Sequence, residues 1–89
     1  MTRLIRNLGT AGTGKYSVID NRTGWMVVDA EPWGRNEFFV LKLADRYSAA
    51  ALHAYALAAD TAGDHEYAAD VLELAKRAGP ASPHCKNPD

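Results

Sequence analysis

Residues 45–79 read DRYSAAALHAYALAADTAGDHEYAADVLELAKRAG, and this stretch decides the fold class. Its alanine density and apolar spacing predict two helices, the first over residues 46–61 and the second over residues 64–78. Gly63 and the Gly79-Pro80 pair are typical helix stop signals. The tight connection between the two helices predicts an αα-hairpin.

Each predicted helix carries one apolar face, because its apolar residues recur at the i, i+3, i+4 and i+7 spacing. The residues of the two faces are Leu52, Tyr55, Ala56 and Ala59 in the first helix and Tyr67, Val71, Leu74, Ala75 and Ala78 in the second. Asp45 and Asp64 precede the helices and are predicted to cap them. Alanine fills little volume, so we expect aromatic and branched residues from the strands to complete the core.

The residues before the helices have strand character in three segments. These segments are KYSVID at 15–20, GWMVVDA at 24–30 and EFFVLKL at 37–43. The turn-forming DNRTG at residues 20–24 predicts an antiparallel hairpin between the first two segments, with Tyr16 opposite Trp25. Pro32 and Gly34 predict a loop before the third segment. The sequence therefore predicts an α+β fold in which a three-stranded antiparallel meander precedes the αα-hairpin, in the order βββαα.

We expect a single domain, because a chain of 89 residues holds one small hydrophobic core. The glycine- and threonine-rich start, residues 1–14, is predicted to be a flexible arm. Residues 15–79 are predicted to form the α+β domain. The last segment, residues 80–89, contains three of the four prolines and is predicted to be an extended, exposed tail.

Composition favours a cytoplasmic protein that does not enter a membrane. The net charge of −1 divides into +2 over residues 1–42 and −3 over residues 43–89, and this weak asymmetry disfavours direct nucleic-acid binding. The single cysteine, Cys85, cannot form an internal disulfide, and no basic-then-apolar leader precedes the first turn signal. The apolar stretches fall short of the ~20 residues that cross a bilayer.

Residues 9–15, GTAGTGK, match the G-x4-G-K pattern of a phosphate-binding loop. That chemistry requires a helix that begins at the lysine and a hydroxyl residue directly after it. Tyr16 occupies the hydroxyl position, and the segment that follows is rich in β-branched residues. We therefore expect no bound nucleotide and no other cofactor.

The remaining polar residues predict neither a metal site nor a catalytic site. The three histidines and Cys85 lack the short spacings of structural zinc ligands. Ser48 and His53 are five residues apart on the predicted helix, so their side chains project in different directions. The acidic residues of the second helix are typical of a solvated face. The sequence thus predicts a protein that is not an enzyme.

Aromatic and cationic residues outside the helices are the candidates for function, because Trp, Tyr and Arg dominate protein-binding hot spots. The predicted partner-binding patch consists of Trp33, Arg35, Arg22, Trp25 and Tyr16. Trp33 lies between a proline and a glycine in a predicted loop, where a large apolar side chain is unusual unless it binds something. For Trp25 and Tyr16, the alternative of packing against the helices stays open.

Four motifs together resemble a loose class of small phage and prophage proteins. They are KYSVIDNRTGWMVVDAEP, EFFVLKLADRYSAAALHAYA, EYAADVLELAKRAG and the terminal K-x-P-D, which span residues 15–89. In size and character this class is similar to the anti-CRISPR proteins. The resemblance implies a non-enzymatic inhibitor in the bacterial host cytoplasm that sterically blocks target DNA binding by a type I CRISPR surveillance complex. It assigns no role to individual residues.

Two other functions are compatible with the sequence. A nucleic-acid-associated accessory protein would place cations on phosphates, and the candidates are Arg3, Arg6, Lys15 and Arg22. A homodimeric phage assembly or structural protein would pair through an open strand edge or through the helix hairpin. The oligomeric state, monomer or homodimer, is left open by the sequence.

Overall fold

The computed structural model describes residues 14–88, and these form two compact units that divide after Val40. The first unit contains a two-stranded antiparallel sheet, made of β1, Ile19–Asp20, and β2, Trp25–Met26. The second unit contains two helices. The predicted combination of a small antiparallel sheet with two helices is confirmed. The predicted N-terminal arm lies outside the described residues, apart from its last position.

Asp20 organises the turn that joins the two strands. Its carbonyl accepts the backbone amides of Thr23 at 3.2 Å and Gly24 at 2.8 Å. Gly24 has a φ of +72°, a left-handed conformation that glycine adopts without steric cost. In the observed register Asp20 pairs with Trp25. The expected pairing of Tyr16 with Trp25 is therefore wrong.

Residues 37–43 do not form the predicted third strand, and the two strands that exist are each two residues long. The second predicted strand is interrupted at Asp29, whose φ of +58° is incompatible with extended backbone. So short a ladder offers little edge for a third strand to pair with. Strand propensity measures fit to a pleated, half-buried surface, and without that surface the apolar run stays irregular. The predicted three-stranded meander is therefore wrong.

The second unit is the predicted αα-hairpin, made of α1, Ser48–Thr61, and α2, His65–Ala75. The second helix ends at Ala75, so its predicted extension to residue 78 is wrong. The turn between the helices is a Schellman motif, in which the Asp64 amide donates to the Ala59 carbonyl at 2.9 Å. Gly63 lies inside this motif with a φ of +93°, which confirms the predicted helix stop. Between residues 14 and 88, no helix is both long enough and apolar enough to span a membrane.

Neither helix has the predicted aspartate cap. Asp64 occupies the N-cap position of α2 but makes no capping bond through its side chain. At the start of α1 the predicted cap, Asp45, is not even the N-cap residue. Tyr47 occupies the N-cap position and makes no capping bond through its side chain. Ser48 is fully buried instead, and its hydroxyl lies 2.7 Å from the Leu43 carbonyl and 2.8 Å from the Asp45 carbonyl. The buried hydroxyl of Ser48 therefore ties the first turn of the helix to the preceding backbone.

Every buried residue between positions 14 and 88 belongs to the second unit. The apolar ones are Ala56, Ala68, Val71, Ala75 and Ala78. The expectation that strand residues complete this core is wrong, because Trp25 and Phe39 are each more than half exposed. Tyr55 and Tyr67 are also half exposed, and their hydroxyls lie 3.0 Å apart on the αα-hairpin. The first unit, in contrast, contains large apolar residues, but none of its residues from 14 to 40 is buried.

The segment predicted as an extended tail, residues 80–89, is exposed at most of its described positions but has an anchored backbone. It begins within a short 3₁₀ helix, Gly79–Ala81. Lys86 then donates its amide to the Ala44 carbonyl at 2.9 Å and accepts the Arg46 amide at 2.9 Å. These two bonds tie the segment to the start of α1, a contact that its proline content did not indicate.

Candidate functional site

The connection that follows β2 is closed by two hydrogen bonds from a single residue, Asn36, one from its backbone and one from its side chain. Asn36 donates its backbone amide to the Asp29 carbonyl at 2.9 Å and its side-chain amide to the Val28 carbonyl at 2.9 Å. We call residues 28–37 the Trp33 loop. Because both ends of the loop are bonded to each other, its shape is set before any partner binds.

Gly34 is required by the close approach of the loop's own backbone. An added Cβ would lie 2.2 Å from the Asp29 carbonyl oxygen, which is closer than a side-chain carbon can come. The Gly34 amide also donates to the Glu31 carbonyl at 2.8 Å and tightens the turn. The path of the Trp33 loop therefore depends on glycine at this position.

Trp33 places its side chain in solvent at this turn. The residue is 97% exposed, whereas tryptophan is strongly buried on average. Its φ of +65° is a left-handed conformation that costs a non-glycine residue about 1–3 kcal/mol. An exposed indole contributes little to folding, so its strained backbone is not explained by stability. Such a combination is typical of a binding residue.

Glu37 stabilises the strained position of Trp33. Its Oε1 accepts the Trp33 backbone amide at 3.0 Å. A charged acceptor makes a stronger hydrogen bond than a neutral one, so this contact offsets part of the backbone strain. Sequence reasoning missed the roles of Glu37 and Asn36, because residue type and spacing gave no signal that their side chains bond to loop backbone.

Arg35 is the cation of the Trp33 loop and is exposed. Its guanidinium makes no hydrogen bond or ion pair with any residue from 14 to 88. Asp29, Glu31 and Glu37 are the acidic residues of the loop, which therefore has a net charge of −2. The structure thus brings Trp33 and Arg35 onto one loop, where both are accessible to a partner.

Arg22 and Trp25 form a second cluster at the hairpin turn. The Arg22 guanidinium bonds to both carboxylate oxygens of Asp20, at 3.3 Å and 3.2 Å. These bonds hold the pKa of Asp20 below its ordinary value. Trp25 is largely exposed, and its backbone amide donates to the Thr23 hydroxyl oxygen at 3.2 Å. Within the described residues, no hydrogen bond or ring contact joins this turn to the Trp33 loop.

Tyr16 is the least accessible member of the predicted patch. It is half-buried, and the Lys15 ammonium lies 5.6 Å from the centre of its ring. This distance is within the range of a cation–π contact. Tyr16 therefore already has a partner within the chain, unlike the exposed indole of Trp33.

The cations considered for nucleic-acid contact do not assemble into a described site. Arg3 and Arg6 lie outside the described residues. Lys15 lies against an aromatic ring, and Arg22 is paired with Asp20. No observation on these residues favours phosphate binding over their contacts within the chain.

The patterns considered for cofactor, metal and nucleophile chemistry lack the required geometry where they are described. The phosphate-loop pattern lies mostly outside the described residues, and residues 16–18 after its lysine are irregular rather than helical. From residue 14 to residue 88, no three His, Cys, Asp or Glu side chains are grouped closely enough to hold a metal ion. Ser48 is fully buried and bonded to backbone carbonyls, so its hydroxyl is inaccessible to a substrate.

The αα-hairpin carries a solvent-facing groove of about 480 Å³ between its helices. Near the turn between the helices, Nδ1 of His65 lies 2.6 Å from Oδ1 of Asp60 at the edge of this groove. The periodicity of the two helices predicted the faces that pack together but did not predict this second, open surface.

Comparisons of the chain with protein-family models, with curated proteins and with solved structures found no match.

Proposed function

We propose that this chain is a non-enzymatic binding protein that docks on a partner protein through the Trp33 loop. The observation that carries this function is the 97% exposure of Trp33 on a left-handed backbone position bonded to Glu37. A tryptophan on a pre-formed loop offers a large contact area and loses little conformational entropy on binding.

The rest of the first unit supports docking by the same part of the chain. No residue from 14 to 40 is buried, although the segment contains several large apolar side chains. The exposed ones besides Trp33 are Val18, Ile19, Trp25, Val28 and Phe39. So many apolar side chains in solvent over a short segment are typical of a surface that a partner covers.

The chemistry of the loop defines the contacts that the partner must offer. Trp33 requires an apolar pocket, because the indole gains most when it is fully removed from water. Arg35 requires a carboxylate or a row of carbonyl groups at the rim of that pocket. Trp25 and Arg22 at the hairpin turn offer a second contact, in which the Arg22 guanidinium remains paired with Asp20. Tyr16 contributes the part of its half-buried side chain that stays accessible.

The resemblance to small phage proteins and to anti-CRISPR proteins directs the choice of partner. We propose that the partner is a type I CRISPR surveillance complex and that the docked chain excludes target DNA sterically. An inhibitor of this kind needs a stable surface and no turnover chemistry.

The experiment measures target-duplex binding by a purified type I complex with increasing amounts of the protein. The wild type should inhibit, and Trp33→Ala should weaken inhibition by about 2 kcal/mol or more, which is roughly a thirtyfold change. Tyr47→Ala is the matched control, because Tyr47 is an exposed aromatic residue of the second unit. It should inhibit like the wild type.

The outcomes separate the partner from the docking loop. Inhibition that is equal for Trp33→Ala and Tyr47→Ala would refute the role of the Trp33 loop. No inhibition by the wild type would refute the CRISPR complex as the partner and would leave the loop to be tested by crosslinking.

A further inference from the structure

The side of α1 that faces solvent is as apolar as the side that packs against α2. Residues 48–59 contain no Asp, Glu, Lys or Arg, and Leu57 is 67% exposed. A helix that is apolar all round is normally covered on more than one side. The αα-hairpin therefore leaves apolar helix surface that its own two helices do not bury.

The open groove of the αα-hairpin has the shape of a helix-docking surface. Three small side chains line the groove, and the residues are Ala56, Ala68 and Ala69. Its polar lining residues are His53, Asp60 and His65. Leu57 and Leu72, one on each helix, also line the groove, and both are exposed. Small residues between larger ones let a further helix approach closely and fill the space between ridges.

Charge is distributed unequally between the two ends of the αα-hairpin. The acidic residues at the turn between the helices are Asp60, Asp64 and Glu66. The basic residues at the opposite end, where α1 begins and α2 has ended, are Arg46, Lys76 and Arg77. They outnumber the acidic residues of this end, Asp45 and Glu73, although Glu73 already pairs with Lys76 at 2.9 Å. Two such hairpins placed antiparallel bring each acidic end to a basic end, whereas a parallel placement brings like charges together.

We infer that this groove docks on the same groove of a second copy of the chain, with the two αα-hairpins antiparallel about a two-fold axis. A two-fold interface uses one surface twice, so a surface with an acidic end and a basic end is complementary to itself. The contact removes Leu57 and Leu72 of both copies from water. This self-association uses the second unit alone and is separate from the docking of the Trp33 loop.

The first test measures the molar mass of the full chain by light scattering and sedimentation across a wide concentration series. The wild type should rise from the 9.7 kDa chain mass to twice that value. Leu57→Glu should weaken dimerisation at least about tenfold, because it places charges in the apolar interface. Ala58→Glu is the matched control, since Ala58 is an exposed α1 residue outside the groove. It should dimerise like the wild type.

The second test distinguishes the two orientations by disulfide trapping in a Cys85→Ser background. Ala69→Cys, in the groove, should crosslink to itself. Lys76→Cys should not, but it should crosslink to a copy that carries Asp60→Cys. Self-crosslinking of Lys76→Cys would show a parallel pair and overturn the inference. A wild type that stays monomeric at every concentration, or a dimer that Leu57→Glu and Ala58→Glu affect equally, would overturn it as well.

Discussion

The backbone amide of Trp33 donates to Oε1 of Glu37 at 3.0 Å, and Trp33 itself is 97% exposed. A charged side chain thus stabilises a strained residue whose own side chain contributes little to the core. The arrangement is understandable if the indole is buried only when a partner binds, because the loop then needs no rearrangement.

Replacement of Trp33 by glycine should separate stability from binding. Glycine adopts the φ of +65° without strain, so Trp33→Gly should stabilise the loop by about 1 kcal/mol while abolishing partner binding. Trp33→Ala keeps the strain and should change the free energy of unfolding by less than about 0.5 kcal/mol. Urea unfolding followed by the fluorescence of Trp25 measures both changes. A Trp33→Gly variant that is clearly less stable than the wild type would contradict this reading of the loop.

Removal of the Glu37 carboxylate should loosen the backbone of Trp33. Glu37→Ala eliminates the acceptor, so the Trp33 amide should lose its protection from hydrogen exchange and partner binding should weaken. Glu37→Gln retains an oxygen in the same place and should behave more like the wild type. Amide exchange followed by NMR compares the two variants, and equal protection of the Trp33 amide in both would show that the bond is unimportant.

The buried hydroxyl of Ser48 should contribute measurably to stability. Ser48→Ala leaves the carbonyls of Leu43 and Asp45 without this donor and should cost about 1–2 kcal/mol. Ser17→Ala serves as the control, because Ser17 is exposed, and it should lie within about 0.5 kcal/mol of the wild type. The midpoint of urea unfolding reports the difference. Equal midpoints for the two variants would refute the anchoring role of Ser48.

The hairpin turn should weaken on acidification. The Arg22 guanidinium, with a contribution from the Arg22 backbone amide, lowers the pKa of Asp20 below 3.8. A carboxylate with a lowered pKa stabilises the folded turn at pH values above its unfolded pKa, and this contribution is lost as the pH falls through the folded pKa. An NMR titration of the Asp20 carboxyl should give a midpoint below 3.8, and Arg22→Ala should raise it. A wild-type midpoint at or above 3.8 would contradict the pairing.

The helices could be predicted from sequence because their signals are local. The spacing of Val71 and Ala75 identifies a buried face, and Gly63 ends a helix through its own backbone freedom. The third strand could not be predicted reliably, since a strand depends on a partner ladder that the segment itself does not specify. Phe39 illustrates the error, because its apolar neighbours suggested a core position and it is more than half exposed.

The sequence suggests residues for the candidate site but not the geometry that the structure gives them. Trp33 is identifiable because a tryptophan between proline and glycine is unusual in a loop. The pairing of Arg22 with Asp20 and the support that Glu37 gives to the loop depend on side-chain contacts within the folded turn. Composition also could not reveal that Arg22 forms an ion pair with Asp20, whereas Arg35 forms no ion pair among the described residues.

Site-specific photo-crosslinking tests the central role of Trp33 most directly. A photoreactive phenylalanine analogue is placed at position 33 or, as a control, at position 47, and the protein is irradiated in a bacterial lysate. Position 33 should give one discrete adduct that excess wild-type protein competes away and excess Trp33→Ala does not. No adduct from position 33, or the same adducts from both positions, would contradict docking through the Trp33 loop.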